Sequence, residues 1–115
     1  MIYDNPKRPV RRNRLITIAS VTEMPENVAA IVDLEHGAEL ALFNCAGKFY
    51  ATENFCPHRG ASLADGLLDA TNKSVICALH AWEFDLASGA CHTEPDCRIE
   101  TYEVIVENDE IKIRV

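Results

Sequence analysis

The chain has 115 residues and a mass of 12.8 kDa, the size of one domain around a single compact core. Hydrophobic residues at 48% and charged residues at 25% exclude wholesale disorder and a fibre, and apolar runs of at most five residues, Val28–Val32 and Val75–Leu79, fall far below the roughly 18 of a membrane-spanning helix. The net charge of −7 is uneven: residues 1–14 hold five of the eleven cations (Lys7, Arg8, Arg11, Arg12, Arg14) and one of the eighteen anions, which leaves −11 on residues 15–115 and repels nucleic acid from the body.

Residues 1–14 are expected to form a flexible basic arm ahead of one domain over 15–115. The pair Arg11-Arg12 suggests a twin-arginine export signal, but Leu15–Val21 contains Thr17 and Ser20 and runs into polar Thr22–Asn27. It lacks both an apolar segment and a small-residue cleavage site. Strands are predicted near 14–19, 28–34, 39–43 and 48–53, with Asn44-Cys45-Ala46-Gly47 turning between the last two. Ala61–Asp69 offers at most a helical turn, because no stretch of ten or more residues keeps a 3.6-residue period. Strands near 74–77 and 83–86 follow, the second ending in a turn at Ala87-Ser88-Gly89.

Residues 99–115 read as a hairpin around Asn108-Asp109. Counting outward pairs Val106 with Ile111, Val104 with Ile113 and Tyr102 with Val115 on one face, and Glu103 with Arg114 on the other. Only Glu107 opposite Glu110 counts against that register. No repeat, low-complexity segment or linker interrupts the pattern. It predicts an all-β fold, a small antiparallel β sandwich or open barrel.

An odd count of five cysteines, without a secretory signal, favours a cytoplasmic protein whose thiols do something other than pair. Two stretches depart from strand-and-turn logic: Cys56-Pro57-His58-Arg59-Gly60-Ala61 and Cys77-Ala78-Leu79-His80-Ala81-Trp82. Each offers one thiolate and one imidazole. The eighteen positions between His58 and Cys77 suffice for an excursion that brings both stretches to one metal centre. Two Cys and two His suit zinc or, with inorganic sulfide, a [2Fe–2S] cluster carrying Cys on one iron and His on the other.

These motifs resemble the Rieske-type iron–sulfur family. Cys56-Pro57-His58-Arg59-Gly60, His80-Ala81-Trp82-Glu83-Phe84-Asp85 and Ser88-Gly89 are similar to the C-P-H-R-G and H-G-W-x-F-D…G stretches of Rieske ferredoxins, nitrite reductase small subunits and the Rieske domains of aromatic-ring oxygenases. The resemblance implies a cluster-binding subdomain of two loops, with Cys56 and Cys77 on a buried iron and His58 and His80 on an outer one. A third loop, bearing Pro95, is implied over the cluster. With neutral histidines, two ferric ions, two sulfides and two thiolates carry no net charge, so His ligation raises the potential to about −150 to +300 mV from about −400 mV with all-Cys ligation. Gly60 suits the tight turn such a loop needs.

The chain also departs from the membrane-complex members of the family. Where those carry an additional Cys in each loop, paired as a disulfide, Ala61 and Leu79 stand here; where those place Ser and Tyr hydroxyls on the cluster, Trp82 and Phe84 stand here. Two hydrogen bonds favouring reduction are then missing, and a potential at the low end is expected. Cys91 and Cys97, six apart around Pro95, are read as packed thiols ahead of a disulfide or a second metal site. Cys45 reads as inert, His36 and His92 as surface rings, Trp82 as packing, and Arg59 either as a solvated cation or as a cluster or partner contact.

The function that follows is a soluble one-electron carrier, a Rieske-type ferredoxin passing electrons from a flavin reductase to an oxygenase-type terminal enzyme. The chain has no room for a flavin, nicotinamide or mononuclear-iron domain, so it is expected to serve an oxidoreductase system rather than act as an enzyme alone. One alternative is a tightly bound small subunit of a multi-component reductase such as nitrite reductase. The other is a structural zinc site in an interaction module, which C-x-H spacing disfavours against C-x-x-C. Neither nucleic acid nor membrane is expected as a partner.

Overall fold

The computed structural model describes residues 3–115. Among them lie ten strands: β1 (Leu15–Ser20), β2 (Ala29–Asp33), β3 (Glu39–Cys45), β4 (Lys48–Glu53), β5 (Leu67–Asp69), β6 (Ser74–Ile76), β7 (Glu83–Asp85), β8 (Thr101–Tyr102), β9 (Val104–Glu107) and β10 (Glu110–Arg114). Short 3₁₀ turns occupy Val21–Glu23, Glu35–Gly37 and Leu63–Asp65. The strands pair antiparallel in three sheets ordered β1-β10-β9, β2-β3-β4-β8 and β5-β6-β7.

Strand β3 determines how these sheets stack. It is buried at all seven positions, as a strand covered on both faces must be. Leu40 and Leu42 join Ala51, Tyr102, Ile111 and Ile113 in one core, whereas Ala41 and Phe43 join Leu63, Val75, Phe84 and Ile99 in the other. Alternate residues of a strand face opposite ways, so β2-β3-β4-β8 is the middle layer. The β1-β10-β9 sheet covers one face and the β5-β6-β7 subdomain the other. This is the expected all-β, antiparallel, open architecture.

The C-terminal hairpin adopts the predicted register, with Val106 opposite Ile111, Val104 opposite Ile113 and Glu107 opposite Glu110. Asn108 and Asp109 hold φ of 52° and 62°, the paired left-handed residues of a type I′ turn. Full burial of Ile111 and Ile113, worth about 1.5–3 kcal/mol each, outweighs a like-charge opposition of a few tenths of a kcal/mol. The predicted Glu103–Arg114 pair also forms, Arg114 donating through its N–H to Glu103 O (3.0 Å) and through Nε to Glu103 Oε1 (2.9 Å); only the last predicted pair, Tyr102 with Val115, does not. Tyr102 pairs with Ala51 of β4, while Val115 exchanges backbone hydrogen bonds with Arg14. The chain changes sheets at Glu103 because the Tyr102 ring is buried against Leu40 and Leu42. Strand β5 was not anticipated; the turn expected within 61–69 is limited to Leu63–Asp65.

Residues 3–14, expected as a flexible arm, carry no strand or helix but lie against the body. Arg11 donates to the Thr101 carbonyl and stacks 4.2 Å over the Tyr102 ring. Asn5 is buried, and Lys7 and Arg8 meet Glu39 and Glu53.

Candidate metal centre

Strand β4 delivers the chain into the first loop at Asn54. The Asn54 side chain, fully buried, donates to Glu39 Oε2 (2.7 Å) and accepts the Ala64 N–H (2.9 Å). That staples the start of the loop to its return. Between them, Cys56 N–H donates to Ala61 O (2.8 Å) and Gly60 N–H to Cys56 O (2.7 Å). The reversal needs a left-handed residue, and Gly60 supplies it at φ 76°. The second loop leaves β6 at Cys77, whose N–H donates to Trp82 O (2.7 Å) ahead of β7. His80 and Ala81 there hold φ of 65° and 57°.

The two loops bring the four candidate donors together by element. Cys56 and Cys77 are buried at 0% and 3% exposure. Burial pushes the Cys56 thiol up to about 12, the His58 backbone N–H opposes the rise, and the adjacent Cys77 thiol adds to it. The His58 and His80 rings meet edge to face with centroids 4.9 Å apart. Removal from water, then His80 and Arg59, hold the His58 imidazole below its ordinary value, which keeps it neutral and able to ligate. Its Nδ1 is buried without a hydrogen-bond partner among the described residues. Trp82 stacks on the same ring at 4.3 Å, nearly parallel.

An orphaned ring nitrogen two residues from a buried cysteine, and a second buried cysteine adjacent to the first, fit an iron–sulfur group. No three His, Cys, Asp or Glu side chains among the described residues are placed to share one metal ion. Zinc wants four donors on a single ion, whereas each iron of a [2Fe–2S] group takes only two from the protein.

The other candidates stand in different settings. Cys45, Cys91 and Cys97 are buried free thiols. Cys91 N–H donates to Cys97 O (3.3 Å), and Pro95 lies in the exposed turn closed by Cys97 N–H on Glu94 O (3.0 Å). His36 and His92 are exposed, 3.9 Å and 3.7 Å from Glu35 and Glu83. Arg59 is exposed. A cavity of about 530 Å³ lies between the arm and the β1 and β2 strands, lined by Arg12, Arg14, Ile16 and Val32 and by none of the four donors. Sequence reasoning missed Asn54, Glu39 and Glu53; the available signal was the Asn54-Phe55 step immediately before Cys56.

A β scaffold whose paired loops present two thiols and two imidazoles offers the side chains that a mixed-ligand iron–sulfur protein needs. Residues 14–103 match the family model described as the Rieske [2Fe-2S] domain. The ferredoxin component of a naphthalene 1,2-dioxygenase system of Pseudomonas aeruginosa is 35% identical over 99 residues, covering 85% of this chain and 92% of that protein. Among solved structures, a Sphingomonas yanoikuyae B1 ferredoxin superposes with a TM-score of 0.77 at 31% identity, over 89% of this chain and 99% of that one. A protein described as an NADH-dependent nitrite reductase small subunit, from Mycobacterium tuberculosis, shares the fold at 22% identity, with a TM-score of 0.78 and coverage of 87% and 93%. The chain belongs to the Rieske [2Fe-2S] domain family, and its prosthetic group is a Rieske-type [2Fe–2S] cluster.

Proposed function

We propose that Cys56 and Cys77 ligate the inner iron and His58 and His80 the outer one, and that the chain is a soluble, cytoplasmic one-electron carrier. In this reading residues 15–115 are the Rieske domain, residues 1–14 its arm, a flavin reductase the donor and an oxygenase-type enzyme the acceptor. The observation that carries the ligand assignment is the buried His58 Nδ1 without a hydrogen-bond partner among the described residues, on a ring whose centroid lies 4.9 Å from that of His80. The carrier role rests on the relative of similar length that is itself a dioxygenase ferredoxin component and on a solved complex of a ferredoxin with its oxygenase that shares this fold.

Bound in these loops, the cluster supplies a store for a single electron at a potential tuned by His ligation. The protein's part is to arrange access and polarity. Cys56 and Cys77, which would hold the inner iron as thiolates, lie out of water. His80 is exposed between Leu79 and Ala81, which gives a partner protein a short path to the outer iron. Phe84 is fully buried and brings no hydroxyl to the site, so the midpoint belongs at the low end of the Rieske range. The reductase-subunit alternative is supported only by the shared fold.

Metal and sulfide analysis of purified protein, with EPR of its dithionite-reduced form and film voltammetry, tests this reading. Two irons, two sulfides, no zinc and a midpoint below zero are expected. His80→Ala and Cys77→Ser should each abolish the histidine-type EPR signal. Zinc in place of iron, or a ligand variant that keeps the native signal, overturns the assignment. Elution as a monomer without a partner favours the carrier; obligate copurification with a reductase favours the subunit.

A further inference from the structure

The body buries two carboxylates that its own strands leave without a cation. Glu39 and Glu53 are 7% and 3% exposed on neighbouring strands, at the level where β4 enters the first cluster loop. Their cations come from the arm. Arg8 donates to Glu53 Oε1 through Nε (3.2 Å) and Nη2 (2.9 Å), while Glu53 Oε2 accepts the Glu100 N–H (2.6 Å). Lys7 Nζ lies 3.4 Å from Glu39 Oε1, and the Glu39 N–H donates to Lys7 O (3.0 Å). Buried Asn5 locks the crossing, donating to Glu53 Oε1 (3.3 Å) and accepting the Lys7 N–H (2.8 Å). A buried acid stripped of its cation is strongly unfavourable, so this docking is specific.

Farther toward the N-terminus, the arm reaches the loop itself. The Tyr3 N–H donates to the carbonyl of Pro57, between Cys56 and His58. Its ring covers Gly60 so closely that a Cβ there would stand 2.8 Å from Tyr3 Cε1, and it meets Phe55 at 6.2 Å between centroids. Gly60 therefore serves the turn and also leaves room for the arm. Glu39 in turn holds Asn54, the staple of the loop's return.

We infer that the N-terminal arm positions the first cluster loop: Tyr3 clamps Pro57 and Gly60, and Lys7 and Arg8 neutralise the two carboxylates at its base. The inference rests on the cluster reading above. An uncompensated carboxylate near the loop favours the oxidised, uncharged cluster over the reduced anion and lowers the midpoint. Loss of the Tyr3 clamp frees the loop carrying Cys56 and His58 and speeds cluster loss.

Cluster-loaded full-length protein is compared with Arg8→Gln, Arg8→Lys, Tyr3→Ala and a deletion of residues 1–8, by voltammetry, by EPR and by the decay of visible absorbance under a chelator. Arg8→Gln should lower the midpoint with unchanged EPR g values, and Arg8→Lys should restore it. Tyr3→Ala keeps the backbone N–H on Pro57 but removes the ring over Gly60 and Phe55; it should speed decay about threefold to tenfold, the scale of a lost aromatic contact, and the deletion should do both. A loaded deletion variant with wild-type midpoint and decay overturns the inference. If the deletion fails to fold, wild-type behaviour of both Arg8→Gln and Tyr3→Ala overturns it. If full-length protein holds no cluster, the cluster reading fails; the clamp is then decided by amide exchange at residues 56–60, faster in Tyr3→Ala if it exists and unchanged if it does not.

Discussion

Tyr102 carries a hydroxyl that the fold buries and leaves without a hydrogen-bond partner among the described residues. Burial pushes it up to about 12, partly offset by the Arg11 cation, so it stays protonated throughout the physiological range. An unpaired buried hydroxyl costs about 1–3 kcal/mol, while the ring itself is well used, packed in the core and faced by Arg11. Tyr102→Phe keeps the ring and removes the penalty. Its denaturant midpoint is expected to match or exceed wild type, by up to about 1 kcal/mol; a loss of stability would mean that the hydroxyl has a partner, such as an ordered water. His58 Nδ1 is likewise buried without a hydrogen-bond partner among the described residues, and in the proposed ligand assignment iron would occupy it. These two atoms look alike in burial and differ in what their surroundings provide.

The second cluster loop carries a conformational cost visible in one residue. His80 and Ala81 are consecutive left-handed residues, and for an L side chain that region is disfavoured by roughly 1–2 kcal/mol. Loops of this family read H-G-W, where this chain has His80-Ala81-Trp82. Ala81 is exposed, so its methyl group loses little packing on removal. Ala81→Gly is expected to stabilise the holoprotein by about 0.5–1 kcal/mol, measured as an increased unfolding midpoint with an unchanged EPR signal. At the same scale, the hairpin of β9 and β10 was legible because its pairing is local: turn residues with positive φ stand between two alternating apolar runs. Strand β5 was not legible, since three residues carry too little pattern to be read without the partner strand β6.

At the scale of the whole molecule, the β5-β6-β7 subdomain carries two carboxylates whose turns make it sensitive to acid. The Asn72 N–H, against burial, holds the Asp69 carboxylate below its usual range. Burial would raise Asp85, but the Ser88 N–H (2.7 Å) and hydroxyl (2.8 Å) outweigh it and hold that group low as well. Both carboxylates close turns of the β5-β6-β7 sheet. A carboxylate with a depressed folded pKa stabilises above the unfolded value near 4 and stops doing so as pH falls through the folded value. Asp85→Asn is therefore expected to destabilise by about 1 kcal/mol at pH 7, and the difference should shrink as pH falls below the unfolded carboxylate value and through the lower folded one. Denaturant titrations of both proteins across that range check it; a penalty independent of pH would mean that shape, not charge, matters at Asp85.

What the chain determines by itself is whatever depends on neighbours in sequence. The two-residue turns, the alternation of the last hairpin and the four candidate donors at Cys56, His58, Cys77 and His80 are legible in spacings of a few residues, because local geometry and ligand chemistry act over that range. The tertiary structure alone decided which sheet takes Tyr102, and that Glu39 and Glu53, indistinguishable in sequence from solvent-facing acids, end up buried. It also brought Arg8 to Glu53 across 45 positions. The reason is physical: burial and pairing of charge depend on which surfaces meet after folding, and a residue carries no mark of the partner that will cover it.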